Sequence, residues 1–142
     1  MNAPASTPRL VSAGLLVRAD GALLLLRHAR GPFAGRWSPL LAGVADQETA
    51  EDALVRLLRD TLRVEHDGPF EFLDTLSLAG SGGEQFVVNA FRCEGWTGVP
   101  ALVRGAYDDA VWAPRDAIYT LDLLPELRVW LLFGGAGGGK GE

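Results

Sequence analysis

The sequence predicts a single α+β domain: a mixed α/β sandwich in which helices cover a mixed, partly antiparallel sheet. Three observations carry this prediction. The chain has 142 residues, of which 48% are apolar and 22% are charged, so it is long and apolar enough to bury one genuine core. Short apolar runs bounded by turn residues indicate strands, and the amphipathic stretch ETAEDALVRLLRDTLRV at 48–64 indicates a helix. Strand pair, helix, strand pair and closing helix follow one another along the chain.

The first predicted elements are two strands joined by a tight turn. RLVSAGLLVR (9–18) and ALLLLRH (22–28) flank Ala19-Asp20-Gly21, where the Asp-Gly step supplies the positive φ angles of a tight hairpin. These runs are therefore predicted to pair. An irregular stretch, ARGPFAGRW, then leads into SPLLAGVAD, which is predicted to form two short extended pieces broken at Gly43. The helix at 48–64 comes next.

A second hairpin and two helices complete the predicted domain. FEFLDTLSLA (70–79) and EQFVVNAFRCE (84–94) flank a Gly-Ser-Gly-Gly turn, which indicates a hairpin with long arms. The run AVWA is predicted to be a last short strand. It precedes a short helix that begins near Pro114 and a terminal helix around 124–133.

The two ends of the chain differ in composition from its middle. Residues 1–8 contain two prolines and small polar residues, and they are predicted to form a flexible lead-in. The tail GGAGGGKGE at 134–142 has almost no side chains with which to pack, so it is predicted to be disordered. The folded domain is therefore predicted to span 9–133.

Composition excludes several classes of protein. No run of about eighteen uncharged apolar residues occurs, and the first ten residues lack a basic segment followed by an apolar one, so we expect no membrane span and no signal peptide. A cytoplasmic location is the expectation that follows. Cys93 is the only cysteine, which excludes an internal disulfide, and two histidines are too few for a Cys/His zinc site. Cys93 is predicted to be a small apolar residue on a strand.

The charge pattern limits the partners. The formal net charge is −5, and the arginines are scattered, so we expect no broad nucleic-acid-binding surface. A few local arginines can still neutralise a small phosphorylated or nucleotide-like ligand. The long second hairpin offers a sheet edge through which a homodimer could form.

The region PFAGRWSPLLAGVADQETAEDALVRLLRDTLRV resembles the signature region of the Nudix hydrolases. The box of that family is Gly, five spacers, Glu, seven spacers, then Arg-Glu-apolar-x-Glu-Glu-x-Gly-apolar. The frame fits without a gap when Glu48 takes the first Glu and Arg56 takes the Arg, and Leu58 and Val64 then fill the apolar positions. The resemblance spans about 9–133 and implies a Nudix-type α/β/α sandwich with the box helix packed against the sheet.

Five expected residues of the box are altered, together with the residue before it. Ala42 stands where the family has the box Gly, and Leu41 where it has the Gly before the box. Leu57 stands in place of the Glu after Arg, and Asp60 and Thr61 stand in place of the paired Glu residues. Arg63 stands in place of the last Gly. The resemblance implies helix carboxylates that hold Mg²⁺ or Mn²⁺ against a diphosphate, during hydrolysis of a nucleoside diphosphate linked to another group. Only Asp60 could ligate a metal directly. We therefore expect a degenerate box with weak or lost hydrolysis. The alternative is a non-catalytic Nudix domain that binds a nucleotide-like ligand or a partner protein.

Helix geometry places these substitutions on an apolar face. At about 100° per residue, six residues form one stripe, and Leu57 and Thr61 lie near its middle: Ala50, Ala53, Leu54, Leu57, Leu58 and Thr61. The face on which the family carries its metal ligands is therefore predicted to be a packing surface. Asp60 lies at the edge of the stripe. It could ligate a metal, or it could join an i, i+4 ladder of charges with Glu48, Asp52 and Arg56.

The candidate site residues follow from the box and from its surroundings. By resemblance, Asp60, Glu48 and Arg56 are the catalytic candidates, and Glu48 with Arg56 forms the ion pair that braces loop and helix. Asp60 with Asp108 and Asp109 is the candidate ligand set for Mg²⁺ or Mn²⁺, the alternative being solvated loop carboxylates and no cofactor.

Four further residues are candidates for substrate binding. Arg27 and Arg36 are candidates for contacting phosphate, and Trp37 and Trp112 for stacking a nucleobase. The alternative is solvated arginines on strand ends and aromatic side chains that belong to the core or its rim.

Overall fold

A computed structural model describes residues 7–66 and 69–133 of the chain. Within these residues seven strands and two α-helices follow one another, and a π-helical turn, Leu58–Leu62, extends the first helix. The elements are β1 Arg9–Leu16, β2 Leu23–His28, β3 Trp37–Ser38, β4 Leu40–Gly43, α1 Ala50–Leu57, β5 Glu71–Ala79, β6 Gln85–Cys93, β7 Tyr107–Ala113 and α2 Pro125–Phe133. A 3-10 turn, Arg115–Tyr119, links β7 to α2.

The strands form two sheets. The larger has the order β4-β1-β6-β5 and is mixed, because β1 and β6 are parallel while the other two pairs are antiparallel. The smaller has the order β3-β2-β7 and is antiparallel. The predicted α+β class with a mixed, partly antiparallel sheet is confirmed. The prediction of one sheet is corrected to two.

The first two strands form a tight turn but not a paired hairpin. The N–H of Arg18 donates to the C=O of Ala22 at 2.9 Å, and Gly21 has a φ of 90°, as the Asp-Gly step predicted. Beyond the single bridge between Val17 and Leu23, however, the strands diverge into different sheets. Each strand is flanked on both edges, β1 by β4 and β6, and β2 by β3 and β7. The predicted strand pairing is therefore wrong.

Two other strand boundaries differ from the prediction. The extended stretch after Trp37 is broken at Pro39 rather than at Gly43, which is the last residue of β4. Proline has no N–H for a ladder, so it is a suitable point for the chain to pass from one sheet to the other. The strand β7 begins at Tyr107, three residues before the predicted AVWA, because its pairing with β2 extends to His28.

Helices cover the sheets on both sides. Along β1, Val11, Ala13 and Leu15 belong to the core that contains α2, whereas Leu16 belongs to the core that contains α1. Helix α1 lies close to β1 because Gly14 has no side chain: a Cβ there would be 3.0 Å from a methyl carbon of Leu54. These two cores give the α/β/α arrangement that the resemblance implied.

Three further expectations concern the periphery of the domain. Cys93 ends β6 and is fully buried, as predicted for a small apolar strand residue, and burial raises the pKa of its thiol to about 12. Strand β5 forms the outer edge of the larger sheet, and self-association through it stays a prediction. The predicted flexibility of 1–8 and 134–142 falls almost wholly outside the described residues.

Membrane insertion by a helix is not supported where the structure is described. Neither α1 nor α2 has the length and apolarity needed to span a bilayer.

Candidate functional site

The box helix begins at a well-formed N-cap. The hydroxyl of Thr49 accepts a hydrogen bond from the N–H of Asp52 at 3.0 Å, and the Asp52 carboxylate accepts one from the N–H of Thr49 at 3.2 Å. This reciprocal pair satisfies two backbone donors that a helix N-terminus leaves free. Gln47, with a φ of 68°, turns the chain just before the cap. Glu48 therefore lies in the loop rather than on the helix.

Glu48 and Arg56 form the strongest ion pair at the site. Arg56 Nε donates to Glu48 Oε2 at 2.8 Å and Arg56 Nη2 donates to Glu48 Oε1 at 3.0 Å, a two-pronged contact. Glu48 also accepts the N–H of Ala45, and Arg56 donates to the C=O of Gly43 at 2.9 Å. The Arg56 guanidinium, aided by the Ala45 N–H, lowers the pKa of Glu48 to about 2. The pair ties the loop before the helix to the middle of the helix.

The predicted i, i+4 ladder of charges along this helix is wrong. Its first member, Glu48, is not helical, so it meets Arg56 eight residues later, directly and without Asp52 between them. The Asp52 carboxylate is used in the cap. Asp60 lies 3.6 Å from Arg59, its neighbour in sequence, and its side chain is 59% exposed. Asp60 is therefore a solvated surface carboxylate in this structure.

The helix ends in the π-helical turn, which anchors a later loop. Thr61 is buried, and its C=O accepts the N–H of Val103 at 2.8 Å, while the C=O of Leu62 accepts the N–H of Ala101 at 2.8 Å. Arg63 ends the turn in the left-handed conformation, with a φ of 59°. In the Nudix frame this position belongs to glycine, the residue that adopts positive φ without strain.

A cavity of about 590 Å³ opens beside the box helix. Its walls come from the start of β1, the end of β2 with the loop that follows it, β4 with the loop after it, and single residues of α1, β6 and β7. Leu57 is the α1 residue in this wall, and Leu41 is one of those from β4. Leu57 occupies a box position and Leu41 the position just before the box, and at both positions the family carries other residues. The volume lies within the range of small-molecule sites.

The interior of the cavity is aromatic and apolar. The rings of Tyr107, His28, Phe33 and Phe86 contact one another in series, with centroid distances of 4.8, 5.4 and 5.1 Å. His28 and Phe33 are buried, as are Phe86 and Tyr107. Together with Leu57 and its apolar neighbours, these rings make a surface that favours an apolar group over water.

The uncharged polar side chains of the cavity already have partners. The Tyr107 hydroxyl accepts the N–H of Leu41 at 3.0 Å and donates to its C=O at 3.1 Å. His28 Nε2 lies 2.8 Å from Ser38 Oγ, and that hydroxyl donates its hydrogen to the C=O of Pro39. Nε2 is therefore the donor of the pair. Burial lowers the pKa of His28 to about 4, so the ring is neutral at pH 7.

The charges of the cavity lie at its exposed rim. Arg9 and Arg30 are two cations in the lining, and Asp46 is the single carboxylate there. Arg30 is held by a 2.9 Å hydrogen bond from Nη1 to the C=O of Gly105. Within residues 7–66 and 69–133, neither arginine forms an ion pair. The rim thus has a local excess of one positive charge, although the whole chain has a net charge of −5.

The candidate metal ligands Asp108 and Asp109 each make other contacts. Asp108 accepts a hydrogen bond from Arg27 Nε at 2.7 Å, and Asp109 accepts one from the N–H of Ala110. In the part of the chain that the structure describes, no three His, Cys, Asp or Glu side chains group as a metal site requires. At the box positions themselves, Leu57 and Thr61 offer no carboxylate. This set of donors does not fit a divalent cation held by several carboxylates.

The candidate substrate-binding residues lie outside the cavity lining. Arg27 stacks over Trp37 at 5.7 Å, and Trp37 is 8% exposed within the core. Arg36 reaches the C=O of Leu123 at 3.3 Å. The Trp112 ring is stacked with Trp96 at 6.0 Å. The structure thus brings Arg27 and Trp37 together and places Arg36 and Trp112 in other contacts.

Several cavity residues had not been singled out from the sequence. Arg9, Arg30 and Asp46 have no motif of their own, and they meet only because β1, the loop after β2 and the loop after β4 converge. The sequence signal that points to the site is the pair of leucines at altered positions, Leu57 within the box and Leu41 just before it. Both face the same space.

Comparison with known proteins gives one family. Residues 7–131 match the sequence profile described as "NUDIX domain". Among curated proteins no match was found. The fold is similar to a crystal structure of a MutT NUDIX hydrolase from Burkholderia pseudomallei, with 24% identity, 89% of this chain and 98% of that chain covered, and a TM-score of 0.76.

Two other solved structures are similar at lower identity. One is a MutT protein from Methanosarcina mazei, with 16% identity, 94% and 97% coverage and a TM-score of 0.74. The other is the NUDIX domain of Shewanella oneidensis NrtR complexed with ADP ribose, with 18% identity, 93% and 88% coverage and a TM-score of 0.72. At these identities the likeness establishes the fold.

Proposed function

Because this chain belongs to the Nudix domain family, we propose that it binds a small phosphorylated, nucleotide-like ligand in the cavity beside its box helix and hydrolyses it weakly or not at all. One observation carries the proposal. Leu57, which stands at a box position, and Leu41, which stands just before the box, line the cavity of about 590 Å³. The site therefore has room for a ligand next to a helix in which Asp60 is the one carboxylate left at the metal-ligand positions of the box.

Loss of the carboxylates has a direct kinetic consequence. Family membership implies a divalent cation, which the box carboxylates would hold; it would neutralise negative charge on the phosphoryl oxygens and orient the attacking water, and this would contribute several kcal/mol. At 1.36 kcal/mol for each factor of ten, a loss of about 4 kcal/mol slows the reaction about a thousandfold. Asp60 is the remaining candidate metal ligand of the box, and Asp108 and Asp109 are the proposed additional ligands. Among the described residues, Asp60 belongs to no group of three or more His, Cys, Asp or Glu side chains that could hold a metal ion, and it lies beside Arg59.

The brace of the site is intact. Glu48 and Arg56 hold the loop at 43–48 against the helix through hydrogen bonds of 2.8 and 3.0 Å, with a further bond to the C=O of Gly43. This loop contributes Gly43, Val44 and Asp46 to the cavity lining. Retention of the brace supports a role in shaping a ligand site, since the cavity wall depends on it.

The experiment measures turnover and binding side by side. Release of phosphate and nucleotide is followed for a panel of nucleoside diphosphate derivatives with and without Mg²⁺ or Mn²⁺, and thermal stabilisation is measured for the same compounds. ADP-ribose belongs in the panel, since one structurally similar NUDIX domain is complexed with it. We expect stabilisation by at least one compound without metal-dependent release.

Two variants make the result specific. Asp60→Asn removes the candidate ligand, and Glu51→Gln removes an exposed carboxylate of the same helix that is not a box position. Metal-dependent turnover that Asp60→Asn abolishes and Glu51→Gln preserves would overturn the proposal and assign a rebuilt hydrolytic site around Asp60. Absence of any stabilisation would overturn the binding role.

A further inference from the structure

We propose that the cavity selects an anion that carries an apolar group in preference to a nucleobase, and that Arg9 and Arg30 rather than a metal ion neutralise the anion. This inference rests on the proposed binding function and deepens it by naming the class of ligand. Three properties of the lining carry it: the two rim arginines, the aromatic interior, and the presence of only two uncharged polar side chains, His28 and Tyr107, both already hydrogen-bonded.

The rim supplies the charge that a metal would supply elsewhere in the family. Arg9 and Arg30 face the cavity with no ion-pair partner in the described part of the chain, against the single carboxylate of Asp46. Guanidinium groups match the oxygens of phosphate or carboxylate and stay charged at every physiological pH. An anion at the mouth therefore finds positive charge without a cation from solution.

The interior is poorly suited to a nucleobase. A base presents several donors and acceptors, and burying them without partners is costly. The Tyr107 hydroxyl is used by both backbone groups of Leu41, and His28 Nε2 is used by Ser38, so His28 Nδ1 is the one neutral side-chain acceptor without a partner in the described lining. An apolar group makes no such demand and contacts the rings of Phe33 and Phe86 and the side chain of Leu57.

The position of Leu57 joins these properties to the altered box. It is half-buried on α1 and faces the cavity, in place of the glutamate that the family carries after the box arginine. A carboxylate here would attract a metal and repel an apolar group. Leucine does the opposite, so the same substitution that removes a metal ligand extends the apolar wall.

The test uses monophosphates, which have no diphosphate bond to cleave, so binding is measured apart from turnover. Four probes separate the contributions: 1-naphthyl phosphate, adenosine monophosphate, inorganic phosphate and 1-naphthol. Calorimetric titration is performed in EDTA and again in Mg²⁺. We expect 1-naphthyl phosphate to bind at least tenfold more tightly than each of the other three, with the same affinity in EDTA and in Mg²⁺.

Single-residue variants test which side chains bind the anionic half of the ligand and which bind its apolar half. Arg9→Gln and Arg30→Gln are each expected to weaken 1-naphthyl phosphate about tenfold and to leave 1-naphthol unchanged, whereas Arg18→Gln, outside the cavity, changes neither. Leu57→Gln is expected to weaken 1-naphthyl phosphate several-fold. Val55→Gln is the matched control, because Val55 is half-buried on the same helix but does not line the cavity. Far-ultraviolet circular dichroism establishes that each variant is folded.

The outcomes separate this inference from the proposed function. Adenosine monophosphate binding as tightly as 1-naphthyl phosphate, a requirement for Mg²⁺, or no binding of 1-naphthyl phosphate would each overturn the inference. If nucleotides from the hydrolysis panel still stabilise the protein without turnover, the proposed function stands alone. Metal-dependent turnover of that panel overturns the proposed function instead.

Discussion

Replacing Arg63 by glycine is expected to stabilise the protein. Arg63 ends the box helix with φ 59° and ψ 33°, a left-handed conformation that costs a residue with a Cβ about 1–2 kcal/mol. Glycine avoids that cost but loses about 0.4–1 kcal/mol through the greater freedom of the unfolded chain. The difference between the midpoints of these two ranges is a net gain of about 0.8 kcal/mol. For a domain of this size, about 1 kcal/mol corresponds to about 3–4 °C, so Tm should rise by about 2–3 °C.

The assay is thermal and urea unfolding of matched glycine variants. Arg59→Gly is the control, because Arg59 lies in the right-handed part of the same turn, where glycine costs about 1 kcal/mol. Its exposed ion pair with Asp60 contributes little. Tm should therefore fall by about 3 °C in Arg59→Gly and rise in Arg63→Gly. Arg63→Ala, which removes the side chain and keeps the strain, should leave Tm nearly unchanged.

The sign of the change in Tm tests whether the backbone at Arg63 is strained. Equal destabilisation by Arg63→Gly and Arg59→Gly would mean that the backbone at 63 is not strained, and that glycine in the family frame has another role. Stabilisation by Arg63→Ala equal to that by Arg63→Gly would instead identify the arginine side chain as the source of the cost.

Three further predictions concern protonation and metal. Burial lowers the pKa of His28 from 6.5 to about 4. The stability that depends on the neutral ring is complete above pH 6.5 and is lost as the pH falls through 4, by about 3 kcal/mol at most. The difference in unfolding free energy between wild type and His28→Gln should shift by a similar amount over that pH range. Arg56 lowers the pKa of Glu48 from 4.5 to about 2. The contribution of ionised Glu48 to stability is therefore complete above pH 4.5 and is lost as the pH falls through 2. Glu48→Gln should lower the urea midpoint at pH 7, and its midpoint should approach that of wild type near pH 2. Leu57→Glu places a carboxylate in the cavity wall, and Mg²⁺ at ten times its Kd should stabilise that variant by about 1.4 kcal/mol more than wild type or Val55→Glu, as measured by thermal shift. An equal response to Mg²⁺ in all three proteins would refute the last prediction.

Local sequence patterns determined most of the elements of this fold. The Asp-Gly step forms the tight turn at Gly21, the long arms of the second hairpin lie within one residue of the predicted bounds, and Pro114 precedes the turn that leads to α2. These features depend on φ preferences, apolar periodicity and caps, which act over a few residues. The box frame also placed Glu48 opposite Arg56 before any distance was known, and the two side chains meet at 2.8 Å.

Tertiary structure alone decided which strands pair and what surrounds the cavity. The first two strands are adjacent in sequence, yet β1 lies between β4 and β6, which pair with its backbone on both edges, and its buried apolar side chains belong to the two cores on its faces. Arg9, Arg30 and Tyr107 come from distant segments and meet Leu57 at one cavity. The spacing of residues along the sequence does not give the distance in space between such segments, since that distance is set by strand order in the two sheets and by helix packing against them. The sequence alone therefore predicted the altered box. The apolar cavity beside it, with arginines at the rim, is formed only by the folded chain.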